Sequence, residues 1–389
     1  FPYTTLFRSI SKSFDEALYK AFEGAGIRRK GMNTYEKPLK VLVCGTNFGR
    51  VDLKGLERCG DKFKIAGIFS HGSTQSKQEA EKYGVPLITD LNEVSKKDFD
   101  MACVVIRSTA VGGKGTEIAG ALLEKGIHVI QEHPVHYNDI VKLLKVAKEN
   151  NCVYQVNSFY PNVKNVQEFI VKSNKLLKKS RPTYIDATCS TQVLFPMISI
   201  LGKALSGFHT WKLQTIDSVN SKFPFKVLSG EIRGIPAIVK IQNQLDPKDP
   251  DNNGFLLHRI VLGTTEGSLC LDNSNGLVIW NPQMYVPHAE GVLDMYGNNS
   301  YVELPVSEVA DGVRNTTYAE VYKELWPEGI VCALNDFARA ITDNSQKNIM
   351  AQQMLTISEI WKDLSEKIGS PQLIVTPERN GIRLADIAE

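Results

Sequence analysis

Lys40 to Cys44 is a short apolar run that ends on Gly45 and opens, through Gly45-Thr46-Asn47-Phe48-Gly49, into helix-compatible sequence from Arg50 to Arg58. A second apolar run, Ile65 to Phe69, follows. Strand, glycine loop, helix and strand in that order begin a parallel sheet, because a parallel neighbour is reached only by a crossover. The alternation continues with a helix at Lys77 to Tyr83, strands at Pro86 to Ile88 and Ala102 to Ile106, and a helix at Gly115 to Lys125. Strand Ile127 to Gln131, helix Asn138 to Asn150 and strand Val153 to Asn157 complete the unit. The pattern predicts an α/β domain over residues 32–158, a doubly wound parallel sheet with helices on both faces.

After Tyr160 the grammar changes. Helices from Val163 to Leu177 and Val193 to Leu205 precede a series of strand-like runs at 184–190, 211–218, 225–232, 237–245, 256–262, 268–272 and 276–280. Turn segments rich in Asp, Asn, Pro and Gly separate them at Asp246 to Gly254 and Asp272 to Gly276. Helices from Tyr318 to Ile341 and Asn348 to Ile368 close the chain. Residues 159–389 therefore read as an α+β domain with a largely antiparallel sheet, left to bind the substrate. A chain of 389 residues is long enough for two such domains. Phe1 to Ser9 reads as the translation of a sequencing adapter, residues 1–31 as a leader or non-native segment, and Met32 as the expected native start.

The net charge of +2 and the scattered cations exclude a nucleic-acid groove. Seven cysteines, odd in number and without a C-x-x-C pair, exclude a disulfide framework and a zinc site and point to a reducing, cytoplasmic setting. No apolar run reaches the length of a membrane span.

Gly45 to Gly49 sits where a dinucleotide-binding Rossmann fold turns from its first strand into its first helix and aims the helix N-terminus at a pyrophosphate. Gly45, Thr46, Asn47, Phe48 and Gly49 are candidate cofactor residues, although only two glycines of the usual three remain and Asn47 holds the middle position. An NAD-specific site places an acid near the end of the second strand, for the ribose hydroxyl. Here the sequence is Ser70-His71-Gly72-Ser73-Thr74-Gln75-Ser76-Lys77, without a carboxylate. Ser70, Gly72, Ser73, Ser76 and Lys77 therefore favour NADP(H), with helix capping by Ser73 and Ser76 as the plain structural alternative. Arg107, Ser108 and Thr109 follow the strand Ala102 to Ile106 and are candidates for positioning the cofactor.

Two segments end the next strands: Gln131-Glu132-His133-Pro134 and Asn157-Ser158-Phe159-Tyr160-Pro161. Glu132 and His133 would border the nicotinamide, and His133 or Tyr160 could donate the proton that accompanies hydride delivery. The residues alone leave that choice open. His258, in an apolar strand, reads as a core residue, and Trp280 and Tyr285 as core aromatics or a pocket lining.

These residues resemble the Gfo/Idh/MocA oxidoreductases, whose Glu-Lys-Pro motif is here Glu132-His133-Pro134. More closely, the chain is similar to the thiazolinyl imine reductases of siderophore biosynthesis. The matching stretches are 103–109, 112–116, 128–134, 159–161, His258-Arg259, Leu262-Gly263 and 278–280. The resemblance implies NADPH reduction of a thiazoline C=N bond to a thiazolidine on an intermediate tethered to a nonribosomal-peptide carrier protein, with Tyr160 or His133 as proton donor and a homodimer as the assembly. Two alternatives stand beside it. One is a sugar or polyol dehydrogenase, which would normally want the lysine that His133 replaces. The other is an NADP-binding regulator without turnover.

Overall fold

A computed structural model describes residues 37–106, 108, 113–217, 220, 222–296 and 300–387. The readings of residues 1–31 and of Met32 as a start lie outside the described residues. Six strands, β1 (Leu39–Cys44), β2 (Phe63–Phe69), β3 (Leu87–Ile88), β4 (Met101–Val104), β5 (His128–Glu132) and β6 (Tyr154–Asn157), form the first sheet. Their order is β3-β2-β1-β4-β5-β6 and every pair is parallel. Helices α1 (Gly49–Glu57), α2 (Thr74–Tyr83), α3 (Lys114–Glu124) and α4 (Tyr137–Glu149) supply the crossovers. Val41, Leu42 and Val43 are all fully buried, as successive residues must be where both faces of a strand are covered. Strand order reverses between β1 and β4, and the crevice beyond their carboxyl ends is the place such sheets hold ligands.

The chain leaves β6 through a single turn at Tyr160–Asn162 and enters α5 (Lys164–Leu176), β7 (Pro182–Ser190) and α6 (Leu194–Ala204). Then follow β8 (Trp211–Ile216), β9 (Phe225–Ile232), β10 (Ile235–Gln242), β11 (Gln244–Leu245), β12 (His258–Thr264), β13 (Gly267–Leu271) and β14 (Val278–Pro282). Three short strands, β15 (His288–Ala289), β16 (Val292–Leu293) and β17 (Glu308–Val309), come next. The second sheet has eight strands in the order β17-β14-β13-β12-β7-β10-β9-β8, antiparallel except for β7 with β10. One face packs on α5 and α6, and nearly all of α6 is buried because it lies between that sheet and the other helices.

The run expected from 237 to 245 breaks at Asn243. Its amide leaves the ladder to donate to the carbonyls of Ile368 and Gly369 at 3.0 and 3.1 Å, satisfying the end of α8 (Asn344–Ile368). The helix expected from Tyr318 is continuous but not uniform: one turn at Tyr318–Glu320, a π-helical stretch at Val321–Leu325, then α7 (Trp326–Thr342). α7 packs on α1, where a Cβ at Gly55 would stand 2.6 Å from Ile330. α8 runs back to β6 and α4, and the Ser358 hydroxyl donates to the Val135 carbonyl at 2.9 Å. The closing helices thus tie the second sheet to the first. Among the described residues no helix is long and apolar enough to cross a membrane, and no cluster of His, Cys, Asp or Glu could hold a metal ion.

Candidate active site

Gly45 ends β1 at φ +93°, and a Cβ there would lie 2.5 Å from the Val105 carbonyl oxygen, so both backbone and space demand glycine. Thr46 is buried, Asn47 is exposed with an ordinary negative φ, and Gly49 starts α1 with only ordinary contacts around its Cβ position. No side chain caps α1, and since Arg50 and Val51 N–H donate to the Asn47 and Phe48 carbonyls at 3.4 and 2.8 Å, an anion here would take the N–H groups of the loop just before them. A dinucleotide pyrophosphate fits this cradle. Phe48 does not face it: its ring packs against Phe159 and Trp326 at 5.4 and 5.5 Å.

At the end of β2, Ser73 accepts from the Ser76 N–H at 3.2 Å and so caps α2. The Ser76 hydroxyl, expected to line the ribose site, is buried between Thr46 and Ser73, at 2.8 Å from each. Ser73, Thr74, His71 and Lys77 are exposed and Ser70 and Gly72 half-buried around that helix N-terminus. Ser108 is likewise buried: its hydroxyl meets Thr116 at 3.1 Å and accepts from Gln131 at 2.9 Å, in a network that Tyr154 completes by donating to Gln131 at 2.8 Å. It ties β5 to the start of α3 at the edge of the sheet. Arg107 and Thr109 lie outside the described residues.

Tyr160 and His133 come together at the carboxyl edge, their ring centroids 6.3 Å apart. What aims Tyr160 is the turn before it. Phe159 sits at φ +56° and ψ −70°, Tyr160 N–H donates to the Ser158 carbonyl at 2.7 Å, and Asn157 Oδ1 accepts from Phe159 N–H at 2.9 Å. That is a γ-turn in its strained, positive-φ form, at a residue bearing a large side chain. The packing of the Phe159 ring, 2% exposed, between Phe48 and Trp326 holds it there. Tyr160 packs edge-on to His258 at 5.0 Å, and no described residue hydrogen-bonds its hydroxyl. Burial pushes its phenol well above the usual range, with Glu132, Tyr322 and Asp251 adding to the effect.

His133 stacks on Phe195 with centroids 6.0 Å apart at 16°. Its Nδ1 lies 2.9 Å from the Asn157 carbonyl oxygen, which can only accept, so Nδ1 carries the proton. Burial pulls the imidazole down to about 4, so at neutral pH it is uncharged and its Nε2 is a lone-pair acceptor. His258 is fully buried and satisfied at both nitrogens, by Ser274 Oγ at 2.7 Å and the Val193 carbonyl at 2.8 Å, and burial holds it near 4 as well. It is a core residue, as its strand suggested. Trp280 is half-buried on β14 and Tyr285 exposed, its ring tilted 41° against that of Tyr301 at 4.7 Å.

Residues 39–158 match the model of the Gfo/Idh/MocA oxidoreductase family with its NAD-binding Rossmann fold, and residues 180–281 match the Irp3-like C-terminal domain of thiazolinyl imine reductase. Residues 39–158 belong to the Gfo/Idh/MocA oxidoreductase family. No curated protein matches it in sequence. Among solved structures it is similar to UDP-N-acetylglucosamine 3-dehydrogenase GnnA from Acidithiobacillus ferrooxidans, at 10% identity and TM-score 0.58 over 85% of this chain and 97% of that one. A 3-ketoreductase from Actinomadura kijaniata in complex with TDP-benzene and NADP gives 14% identity and TM-score 0.59 over 87% and 100%. An oxidoreductase from Agrobacterium radiobacter in complex with NAD+, L-tartaric acid and magnesium gives 11% and 0.60 over 84% and 95%. At these identities the likeness is one of fold.

Several residues of this Gfo/Idh/MocA site escaped the sequence reading. Phe195 and Trp326 wall it, from α6 and α7. Asp52 is 6% exposed in a small cavity with Glu132, Asn157, Phe48 and Phe159, and burial, then the Glu132 charge, push its carboxyl well up. A signal for Asp52 existed: it shares the core-facing side of α1 with Leu53 and Leu56, an unusual place for a carboxylate. Trp326 gave none, since its neighbours on the site come from elsewhere in the chain.

Proposed function

We propose that this oxidoreductase uses NADPH to reduce the C=N bond of a thiazoline to a thiazolidine, on an intermediate held as a thioester by a carrier protein of nonribosomal siderophore synthesis. The observation that carries this reading is the Tyr160 hydroxyl, without a described protein partner, beside a neutral His133 and among the rings of Phe48, Phe159, Phe195 and Trp326. A flat, weakly polar heterocycle suits such walls, whereas a sugar would leave its hydroxyls against aromatic carbon. The match of residues 180–281 supports the same choice. The exposed hydroxyls and Lys77 around the start of α2, with no carboxylate from Ser70 to Lys77, support NADPH over NADH.

When bound, the nicotinamide supplies the hydride that adds to the imine carbon. Tyr160 gives its proton to the ring nitrogen as negative charge develops there, and a phenol is acid enough for so basic an atom even when burial raises it. His133 Nε2 accepts a hydrogen bond from the N–H so formed and keeps the product nitrogen oriented. The aromatic walls exclude water from the reacting face.

Seven free cysteines suit a reducing cytoplasm. Two copies would pair through the open face of the second sheet, where Tyr184, Ile238 and Val309 are exposed beside the Lys240–Asp186 ion pair of 2.7 Å; a monomer in sedimentation would refute that pairing. The test of function is NADPH consumption with a thiazolinyl thioester on its carrier, the thiazolidine identified by mass. Cofactor binding without turnover would make the chain a regulator, and turnover of a polyol but not the thioester would make it a dehydrogenase.

A further inference from the structure

Glu132 and Asn157 are partners at the ends of the parallel strands β5 and β6. His133 follows the first of them directly, and Tyr160 lies three residues beyond the second. Asn157 bonds toward both. Its carbonyl accepts from His133 Nδ1–H at 2.9 Å, and its side-chain Oδ1 accepts from the Phe159 N–H at 2.9 Å, next to Tyr160 in the chain.

The second bond closes an Asx turn, in which an Asn side chain holds the backbone two residues on. Phe159 is buried, so its N–H has no water to turn to and depends on Oδ1. Neighbouring rings hold the Phe159 ring, whereas Oδ1 holds its N–H, and with it the positive φ of +56° from which Tyr160 leaves the turn. Only an oxygen can accept there, so the amide of Asn157 has one orientation. Asn157 also lines the small cavity of Asp52 and Glu132, whose carboxyl oxygens suit its Nδ2 as acceptors. An aspartate in its place would keep the acceptor for Phe159 but add a third carboxylate to that cavity, which like charges disfavour. The neutral amide meets both demands.

We propose that Asn157 is the positioning residue of this site: its side-chain oxygen aims Tyr160 and its carbonyl fixes His133, so that one residue sets the spacing of the two. The proposal rests on the reductase reading, because it gives Asn157 a part in the same proton delivery. Asn157 acts through its two neighbours and needs no contact with the reacting atoms. Its two bonds are separable. The carbonyl survives any substitution, so the His133 side holds in every variant at this position, while the Tyr160 side is lost when the side chain has no acceptor.

The experiment compares wild type with Asn157→Ala and Asn157→Ser, which differ from each other by a single oxygen. A Ser hydroxyl can accept from the N–H two residues on as Asn does, though more weakly. NADPH consumption with the thiazolinyl thioester gives kcat and KM, and nicotinamide fluorescence gives the Kd of NADPH. NMR of tyrosine carrying a 13C label at Cζ, with the Tyr160 line found by its loss in Tyr160→Phe, reports the phenol without turnover. Asn157→Ala should lower kcat about tenfold, less than removal of the donor outright, with KM and the Kd of NADPH little changed, and should move the Tyr160 line. Asn157→Ser should recover most of the lost kcat and return the line toward its wild-type place. Equal losses in the two variants, an unchanged kcat in Asn157→Ala or an unmoved Tyr160 line overturn the proposal, and so does a loss confined to KM or to NADPH binding. Should Asn157→Ala fail to fold, Asn157→Thr and Asn157→Val put the same question with matched shapes. If Asn157→Val fails to fold as well, Asn157 serves the fold alone and the proposal falls. If wild type leaves the thioester untouched, yet the Tyr160 line moves in Asn157→Ala and returns in Asn157→Ser, the positioning stands and the reductase reading falls.

Discussion

The Nδ1 proton of His133 is committed to the Asn157 carbonyl at 2.9 Å, and this fixes what the imidazole can do on its other side. A neutral ring with Nδ1 protonated presents only a lone pair at Nε2. With burial holding His133 near 4, the proposed reaction would draw its proton from Tyr160. Tyr160→Phe should lower kcat by about 10²-fold or more, and His133→Ala by clearly less. Because His133 does not titrate near neutrality, kcat should stay level from pH 7 down toward pH 5. Steady-state NADPH consumption checks both, and an acidic limb near pH 6.5 that vanishes in His133→Ala would reassign the donor.

The proposed preference for NADPH rests on the end of β2. Ser70 is half-buried there, close to the exposed N-terminus of α2, and a carboxylate at its position would face the ribose. Ser70→Asp should lower the ratio of kcat/KM for NADPH over NADH by at least about tenfold, through repulsion of a 2′-phosphate. An unchanged ratio would place the discriminating contacts elsewhere.

Most strands and helices were legible as apolar runs alternating with helical stretches, which fixes parallel pairing in the first sheet, while its strand order comes from the structure. The site was legible only in part. Ser76 and Ser108 carry hydroxyls at the right edge of the sheet, but which way a hydroxyl faces is decided by Thr46 and Gln131, distant in sequence. The aim of Tyr160 depends on a positive φ at Phe159, which no local propensity announces and which the rings of Phe48 and Trp326 enforce. Trp326 itself lies some way beyond the last motif, on a helix whose π turn is invisible in a pattern of apolar residues.

Asp52 gives a stability prediction with a definite sign. Its carboxyl is raised well above 3.8 in the folded chain by burial first and the Glu132 charge second, so the folded chain keeps this proton to higher pH than the unfolded chain does. Its contribution is full below pH 3.8 and is lost as pH rises toward the folded value. Asp52→Asn, which resembles the protonated acid, should therefore be more stable than wild type at pH 7. The gap should widen by about 1.4 kcal/mol per pH unit above the unfolded pKa, until the folded pKa is reached. Thermal melts across that range measure it, and parallel Tm curves would show that Asp52 is ionised in the fold.

His258 makes the opposite case. It is fully buried between Ser274 and the Val193 carbonyl, and burial holds it near 4 against an ordinary 6.5. Above pH 6.5 both folded and unfolded chains carry it neutral, so it adds no pH dependence there. Below that, the unfolded chain takes up the proton first, and stability is lost as pH falls from 6.5 toward 4, on the order of 3 kcal/mol for this residue. His128 and His133 are also lowered to about 4 by burial and act in the same window, so the wild-type acid transition should be steep. His258→Phe should lose about 1–3 kcal/mol at pH 7, because the Val193 carbonyl is left buried without a donor. The same variant should show a shallower fall of Tm between pH 6.5 and 4, since one of the three titrating groups is gone. A variant destabilised at pH 7 with an unchanged acid slope would mean that His258 is already charged in the fold, with Ser274 Oγ accepting from it.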